Sequence, residues 1–418
     1  MQYPSTFPLI LKILKQLSFQ AMGYSSPNPP VACVITDLEG NILSEGHTQR
    51  TGRNHAEREA YQNFAQNYKN AKKIPHLVFV TLEPCTHFGK TPPCLDLILE
   101  YKPVCVYFGL ADPNPLVRKR DVTQEYEKAG VKVIESPEIA KIGNAFLSGF
   151  ISRIKRERPQ IMIKSALSKE GYYADLSRSK ISLSNPFSNQ ITQMLRAKLD
   201  AVIVGPVTVY VDYPGLDFRG FDLSILEKLD LRKSEDDQSN GELFPEVLFK
   251  SISSRTSLDW HNRNDQAYQP YRIFVISLKR LPDKSFFQKQ KLLCEKYGNK
   301  KAIFFMLDFE KENISHQKAY AKMVEVSSEL PVLVQDRNEL PEKLFSMFSQ
   351  LSLNTILVEG GNMLYKIFAN ELYEDDLIYL IHTGASIREG ISPDIDITNR
   401  KKKYEKKIDT DIWEVYGE

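Results

Sequence analysis

The chain has 418 residues, 42 % of them apolar and 26 % charged, the balance of an ordinary soluble globular protein and more length than one domain needs. A formal net charge of only +2 speaks against a nucleic-acid-binding surface as its main business. The five cysteines, at 33, 85, 94, 105 and 294, are too sparse and uneven for a disulfide framework; they point to a reducing compartment, so a cytoplasmic protein is expected.

Met1 to Leu17 carries Pro4, Pro8 and two lysines with no uninterrupted apolar core, unlike a signal peptide. No apolar run approaches the roughly 20 residues of a membrane span. Leu9, Ile10, Ile13, Leu14 and Leu17 recur at helical spacing. Strands are predicted at Val31 to Ile35, after a turn from Gly40, at Leu77 to Leu82, Val104 to Gly109 and Val131 to Ile134, with a helix following His55. Strands alternating with helices predict an α/β layer fold.

The basic, polar run at Lys155 reads as a linker, dividing the chain into domains 1–154 and 155–418. In the second, Ile161 to Ile163, Ala201 to Val204, Ile273 to Ile276, Ala302 to Phe305, Val332 to Val334 and Thr355 to Val358 read as strands of another α/β unit. The stretch 220–268 breaks this rhythm and is expected to be an insertion or mobile loop. The charged tail from Lys401 is expected to end in one strand, Ile412 to Tyr416. His76, His261, His316 and His382 have no partner pattern, and Cys33, Cys105 and Cys294 read as buried small hydrophobes.

The chemistry sits in His55-Ala56-Glu57, Thr81-Leu82-Glu83-Pro84-Cys85 and Thr91-Pro92-Pro93-Cys94. Zinc favours nitrogen and thiolate ligands, and a catalytic site keeps three of them and leaves one position for water. His55, Cys85 and Cys94 are the three expected ligands. Glu57 is the expected proton carrier, since a carboxylate that does not ligate the metal must pass the water's proton to departing ammonia. Histidine-x-glutamate followed by proline-cysteine and a later cysteine is the signature of zinc deaminases of nucleobases. A structural zinc site would close with a fourth ligand, and His87 is the only other histidine or cysteine at short spacing.

Ser26-Pro27-Asn28-Pro29, His55-Ala56-Glu57, the run Thr81 to Cys94 and Asp112-Pro113-Asn114-Pro115 closely resemble the deaminase half of the bifunctional riboflavin-biosynthesis deaminase–reductases. The eight residues between the cysteines, Thr86 to Pro93, match that family; generic cytidine-type deaminases have two. The resemblance implies a cytidine-deaminase-like three-layer domain acting on a phosphoribosylamino-pyrimidinone whose 2-amino group is hydrolysed. It places Asn28 on the ring and His87 and Lys90 at the ribose phosphate. A family histidine is Thr48 here, with His47 beside it as a surface or strand-end residue.

Arg158 to Arg219 resembles the reductase half, which implies a dihydrofolate-reductase-like fold using NADPH. The resemblance places Lys164, Ser184, Asp212, Leu216 and Glu359 at the ribose region of the substrate and Arg196 and Arg219 at its phosphate. Ser168, Gly205, Thr208, Gly360 and Gly361 fall at the cofactor. Several family motifs are altered: Ser168-Lys169-Glu170-Gly171, Ser182-Leu183-Ser184, Lys180, Ser277, and His382 to Ser386. They keep open a second hypothesis, a deaminase whose C-terminal domain only docks, dimerises or binds a nucleotide. A third, a nucleic-acid deaminase, is opposed by the charge and the cysteine spacing. The expected partner is a small phosphorylated pyrimidine, without nucleic acid or membrane, in a homo-oligomer (dimer or tetramer).

Overall fold

The structure, a computed structural model, describes residues 3–88, 92–115, 120–177, 179–226 and 255–418. It divides into two compact units, with the boundary between Glu157 and Arg158.

The first unit is built on a five-stranded sheet in the order β2-β1-β3-β4-β5. Its strands are β1 (Ala32–Thr36), β2 (Ile42–His47), β3 (Leu77–Leu82), β4 (Cys105–Leu110) and β5 (Lys132–Glu135). β1 is antiparallel to both neighbours, whereas β3, β4 and β5 run parallel. β3 is buried along its whole length, as its unbroken apolar run requires of a strand covered on both faces. Helices α1 (Phe7–Ala21) and α5 (Pro137–Arg156) pack together against the sheet. On their face Phe79 stacks on Tyr107 with centroids 4.8 Å apart, and Phe7 joins Phe79 at 6.0 Å. The alternate residues Val78 and Val80 join Ala60, Phe64, Leu95 and Tyr126, which come from α2 (Ala56–Asn67), α3 (Cys94–Tyr101) and α4 (Val122–Lys128). This is a three-layer sandwich. Gly46 decides how closely α2 lies on β2: a Cβ there would stand 2.5 Å from the Ala56 carbonyl and the Ala60 nitrogen.

The second unit holds a nine-stranded sheet in the order β11-β10-β9-β8-β12-β6-β13-β16-β15. The strands are β6 (Gln160–Leu167), β8 (Ala201–Val204), β9 (Tyr271–Ser277), β10 (Ala302–Leu307), β11 (Val332–Val334), β12 (Thr355–Val358), β13 (Leu377–His382), β15 (Lys401–Ile408) and β16 (Asp411–Gly417). A separate ribbon pairs β7 (Ala174–Asp175) with β14 (Gly390–Ile391). All main-sheet strands from β11 to β13 are parallel, and β16 and β15 close that edge antiparallel. The late strand β12 inserts between β8 and β6, so the loops after three sequence-distant strands emerge about 5 Å apart. Such a reversal of strand order is where open parallel sheets form their ligand crevice.

Several expectations need correction. The tail contributes two strands, not one, because Tyr404 and Ile408 turn inward while Lys401, Lys402 and Lys403 remain exposed. β13 had no predicted counterpart. Of the 220–268 stretch, residues 227–254 lie outside the described ones, but its flanks are packed. Helix Arg255–Arg263 brings His261 into the core, and Tyr268 is buried 4.7 Å from that ring.

Candidate functional site

His55 is the residue before the first turn of α2, Cys85 follows β3, and Cys94 opens α3. The fold brings these three together: their ligand atoms all lie within 4.8 Å of one another. The Nδ1 atom of His55 is 3.6 Å from Cys85 Sγ and 3.5 Å from Cys94 Sγ. The Cys94 amide donates to the Cys85 sulfur at 3.4 Å, so the start of α3 adds to the positive potential that favours thiolates. Contact with Cys94, opposed by burial and reinforced by His55, holds the Cys85 thiol far below its ordinary range, at about 4. One imidazole nitrogen and two sulfurs at this spacing fit zinc with one position left open.

Glu57, one turn-start residue further along α2, is buried. Burial first, and then the Cys85 charge, pushes its carboxyl up to about 7. A group that titrates near neutrality is suited to take and return a proton. Glu83 is a further residue of the site, with no motif role of its own in the sequence. Its carboxylate accepts the Asp112 amide at 3.0 Å, and Asp112 in turn accepts the Asn114 amide at 2.9 Å. Glu83 therefore anchors the Asp112–Pro115 loop beside Pro84-Cys85; only its place in the Thr81-to-Cys85 run signalled it.

Asn28 is half-buried in the turn before β1, with its carbonyl accepting the Ser25 hydroxyl. His87 keeps its Nδ1 buried with no hydrogen-bond partner among the described residues. Lys90 lies outside the described residues. His47 does end β2 but is not a surface residue: it is buried and meets Tyr24 edge-on at 6.0 Å. His76 is a satisfied core histidine, bonded to the Tyr61 hydroxyl and the Ile74 carbonyl.

A cleft of about 650 Å³ opens at the carboxyl ends of β6, β8 and β12. Ten of the expected residues line it: Lys164, Ser184, Gly205, Thr208, Arg196, Asp212, Leu216, Glu359, Gly360 and Gly361. Helix α6 (Pro186–Lys198) presents Arg196, and α7 (Pro206–Asp212) presents Thr208 and Asp212. Gly360 and Gly361 have φ of 102° and 97° and lead into the helix Asn362–Ala369. A Cβ on Gly360 would stand 3.4 Å from Thr208 Oγ1, so the bare backbone leaves a cradle where a phosphate-bearing cofactor can approach a helix start. The loop after α7 is strained at the cleft wall, with Tyr213 and Leu216 at φ of 45° and 58°.

Three residues behave differently from expectation. Arg196 is not presented as an open phosphate clamp: its Nε and Nη2 donate to the two carboxylate oxygens of Glu359, each at 2.7 Å. Arg219 is exposed and does not line the cleft, although its charge reaches Glu359. Ser168 also lies outside the cleft lining, since its hydroxyl donates to Glu170 and accepts the Glu170 and Tyr172 amides within a tight turn. Burial lowers the pKa of Lys164, against the opposing pull of Glu359. Cys294, expected to be a small core hydrophobe, is only half-buried and hydrogen-bonds to the Val326 carbonyl and Arg272.

The cytidine and deoxycytidylate deaminase zinc-binding region matches residues 11–110. The chain is 36 % identical over 203 residues to the riboflavin biosynthesis protein RibD of Actinobacillus pleuropneumoniae, covering 49 % of this chain and 52 % of that protein. It is also 36 % identical over 234 residues to the RibD of Chlamydia trachomatis, covering 55 % and 60 %. These matches thus span about half the length of the curated relatives. Among solved structures, the Thermotoga maritima diaminohydroxyphosphoribosylaminopyrimidine deaminase/5-amino-6-(5-phosphoribosylamino)uracil reductase covers 99 % of this chain and 98 % of its own, with a TM-score of 0.71 at 21 % identity. Acinetobacter baumannii RibD aligns over 97 % of both chains with a TM-score of 0.69 at 20 % identity. The fold is therefore that of these proteins. No helix among the described residues is long and apolar enough to cross a membrane.

Proposed function

We propose that this chain is a bifunctional enzyme of riboflavin biosynthesis. It hydrolyses the 2-amino group of 2,5-diamino-6-ribosylamino-pyrimidinone 5′-phosphate, then reduces the ribosyl to a ribityl side chain. Residues 1–154 carry the first reaction and 155–418 the second. The observation that carries the reading is the convergence of His55, Cys85 and Cys94 around one point, with the buried Glu57 beside them.

His55, Cys85 and Cys94 would hold zinc, which when bound activates a water molecule for attack. Asn28 orients the ring, and His87 and Lys90 meet the ribose phosphate. Glu57 moves the proton: it accepts one as water adds to the ring carbon and delivers it to the exocyclic nitrogen, which leaves as ammonia. Burial of Glu57 keeps bulk water from competing for that proton.

In the second unit, Gly205, Thr208, Gly360 and Gly361 would cradle NADPH, which when bound supplies a hydride to the ribosyl carbon. Lys164 would give a proton to the sugar oxygen, since burial makes its ammonium easier to deprotonate. Glu359 holds Arg196 in position and acts on Lys164 through its charge, and Asp212, Leu216 and Ser184 shape the wall. The odd set of free cysteines suits a cytoplasmic protein, and the assembly is taken as a homo-oligomer, readable by sedimentation.

The test supplies the ring-opened GTP product to purified protein, with and without NADPH, and follows ammonia release and nicotinamide absorbance separately. Both signals are expected. Ammonia without nicotinamide oxidation would select a deaminase with an inactive second domain, and the absence of both signals would defeat the proposal.

A further inference from the structure

We propose that Gln290 is a positioning residue for the second unit's cleft: it holds the wall at 214–216 in a strained shape and so sets the affinity for the sugar arm of the substrate. The identity of that ligand rests on the reductase reading; the placement of the wall does not.

The segment 213–222 joins α7 to the short helix Leu223–Leu226 and forms neither helix nor strand. It still supplies Pro214 and Leu216 to the cleft. Tyr213 and Leu216 adopt φ of 45° and 58°, a region in which a Cβ crowds the following carbonyl. A chain left to itself relaxes out of such a shape, so the wall needs bonds from outside it.

Side-chain amides supply them. Gln269 brackets Phe218, accepting its amide at 3.2 Å and donating to its carbonyl at 2.7 Å. Gln193 accepts the Arg219 amide and Gln190 the Asp222 amide, each at 2.9 Å. All three act beyond Leu216. Between the two strained residues, Gln290 Nε2 donates to the Pro214 carbonyl at 3.0 Å. Proline has no N–H, so its carbonyl is the backbone group by which Pro214 can be held.

Gln290 is itself fixed. It is fully buried on the helix Lys284–Tyr297, and its Oε1 accepts Arg272 Nη1 at 2.8 Å. Arg272 is 2 % exposed and belongs to β9, which is flanked by β8 and β10. A guanidinium only donates, so the oxygen of Gln290 must face it and the NH2 group must face Pro214. The sheet fixes which way the amide points, and the amide fixes the wall. Leu293, about one turn further along the helix, closes on the same segment: a Cβ on Gly215 would stand 3.4 Å from its Cδ1. Gln290 does not line the cleft; it acts through Pro214. A wall set before the ligand arrives spares binding the cost of ordering it. Without the Pro214 bond that cost falls on binding, so affinity drops while the bound complex reacts much as before.

The test compares Gln290→Glu with Gln290→Met in the full chain. The first keeps an acceptor for Arg272 but, as a carboxylate, has no hydrogen for Pro214; the second lacks both. Amide hydrogen exchange of the 213–219 peptide should rise about tenfold in each, the loss of one buried hydrogen bond, with peptides of β8 and β12 unchanged. The denaturant midpoint should fall for Gln290→Met and hold for Gln290→Glu. In turnover, Gln290→Glu should raise KM for the deaminated pyrimidine about tenfold with kcat within about twofold, a split that a general loss of folding does not give. Unchanged exchange at 213–219, or faster exchange with an unchanged KM, overturns the proposal. If the wild type oxidises no NADPH, the reductase reading falls and the exchange arm decides alone: the tenfold rise upholds the placement of the wall, and an unchanged rate overturns it.

Discussion

At the scale of single residues, the two sites differ in how openly the sequence declares them. His55, Glu57, Cys85 and Cys94 are fixed by local spacing, because a metal and its proton carrier need particular atoms at a helix start and a strand end. Cys94→Ser should reduce bound zinc from about one equivalent to a small fraction, read by metal analysis of the purified chain, since the site would lose a thiolate. A variant that keeps its zinc would remove Cys94 from the ligand set. The Arg196–Glu359 pair was invisible by comparison. Its members are 163 positions apart, and they meet only because β12 inserts beside β8. Both side chains are about nine-tenths buried, so Arg196→Met should strand a buried carboxylate and cost about 3–5 kcal/mol. Replacing Glu359 with Gln in the same chain should recover much of that. The denaturant midpoint reads both, and an unchanged midpoint in the single variant would mean the pair is not sealed from water.

At the scale of elements, most strands were legible because their buried runs are short and apolar, and β3, β8, β11 and β12 fall where the sequence pattern set them. What failed was anything defined by a partner. β15 reads as a lysine-rich tail because it is an edge strand, where charge discourages further pairing. The altered motifs at Ser168 to Gly171 and His382 to Ser386 make sense together: the Glu170 carboxylate accepts the Ile387 amide at 2.8 Å and the Ser168 hydroxyl at 2.8 Å, and the Lys169 amide donates to the Ala385 carbonyl. Two altered turns thus clamp one another. The Ile387 amide, with the Ser168 hydroxyl, holds the Glu170 carboxyl down at about 2. A depressed carboxyl contributes stability that is present above its unfolded pKa, about 4.3, and lost as pH falls towards the folded value. The stability gap between the wild type and Glu170→Gln should therefore be constant above about pH 5 and close between pH 4 and 2. A gap unchanged at pH 2 would show that the charge is not the clamp. On the same sheet, Gly361→Ala forces a side chain to a φ of 97°. It should cost about 1–3 kcal/mol and weaken NADPH binding measured by nicotinamide fluorescence, whereas alanine at Gly52, whose φ is a comparable 85° but which lies in the first unit, should leave that binding unchanged.

At the scale of the whole molecule, the chain divides into two units, each with its own sheet and its own candidate site. The metal centre draws every ligand from His55 to Cys94, and the cleft draws every lining residue from Lys164 onward. Perturbations confined to one site should then be additive with those in the other. Under the proposed function the chemistry nevertheless orders them, because the second reaction would consume the first one's product. Glu57→Gln removes the proton carrier while leaving the three zinc ligands, so ammonia release should fall by roughly 10² to 10⁴ with zinc content unchanged. Given the amino-pyrimidine, this variant should oxidise almost no NADPH. Given the deaminated compound directly, it should oxidise NADPH at the wild-type rate. If the variant reduces the amino compound as fast as the wild type does, the order of the steps is reversed; if it fails on the deaminated compound too, the two sites are not independent, and Glu57 acts beyond its own unit.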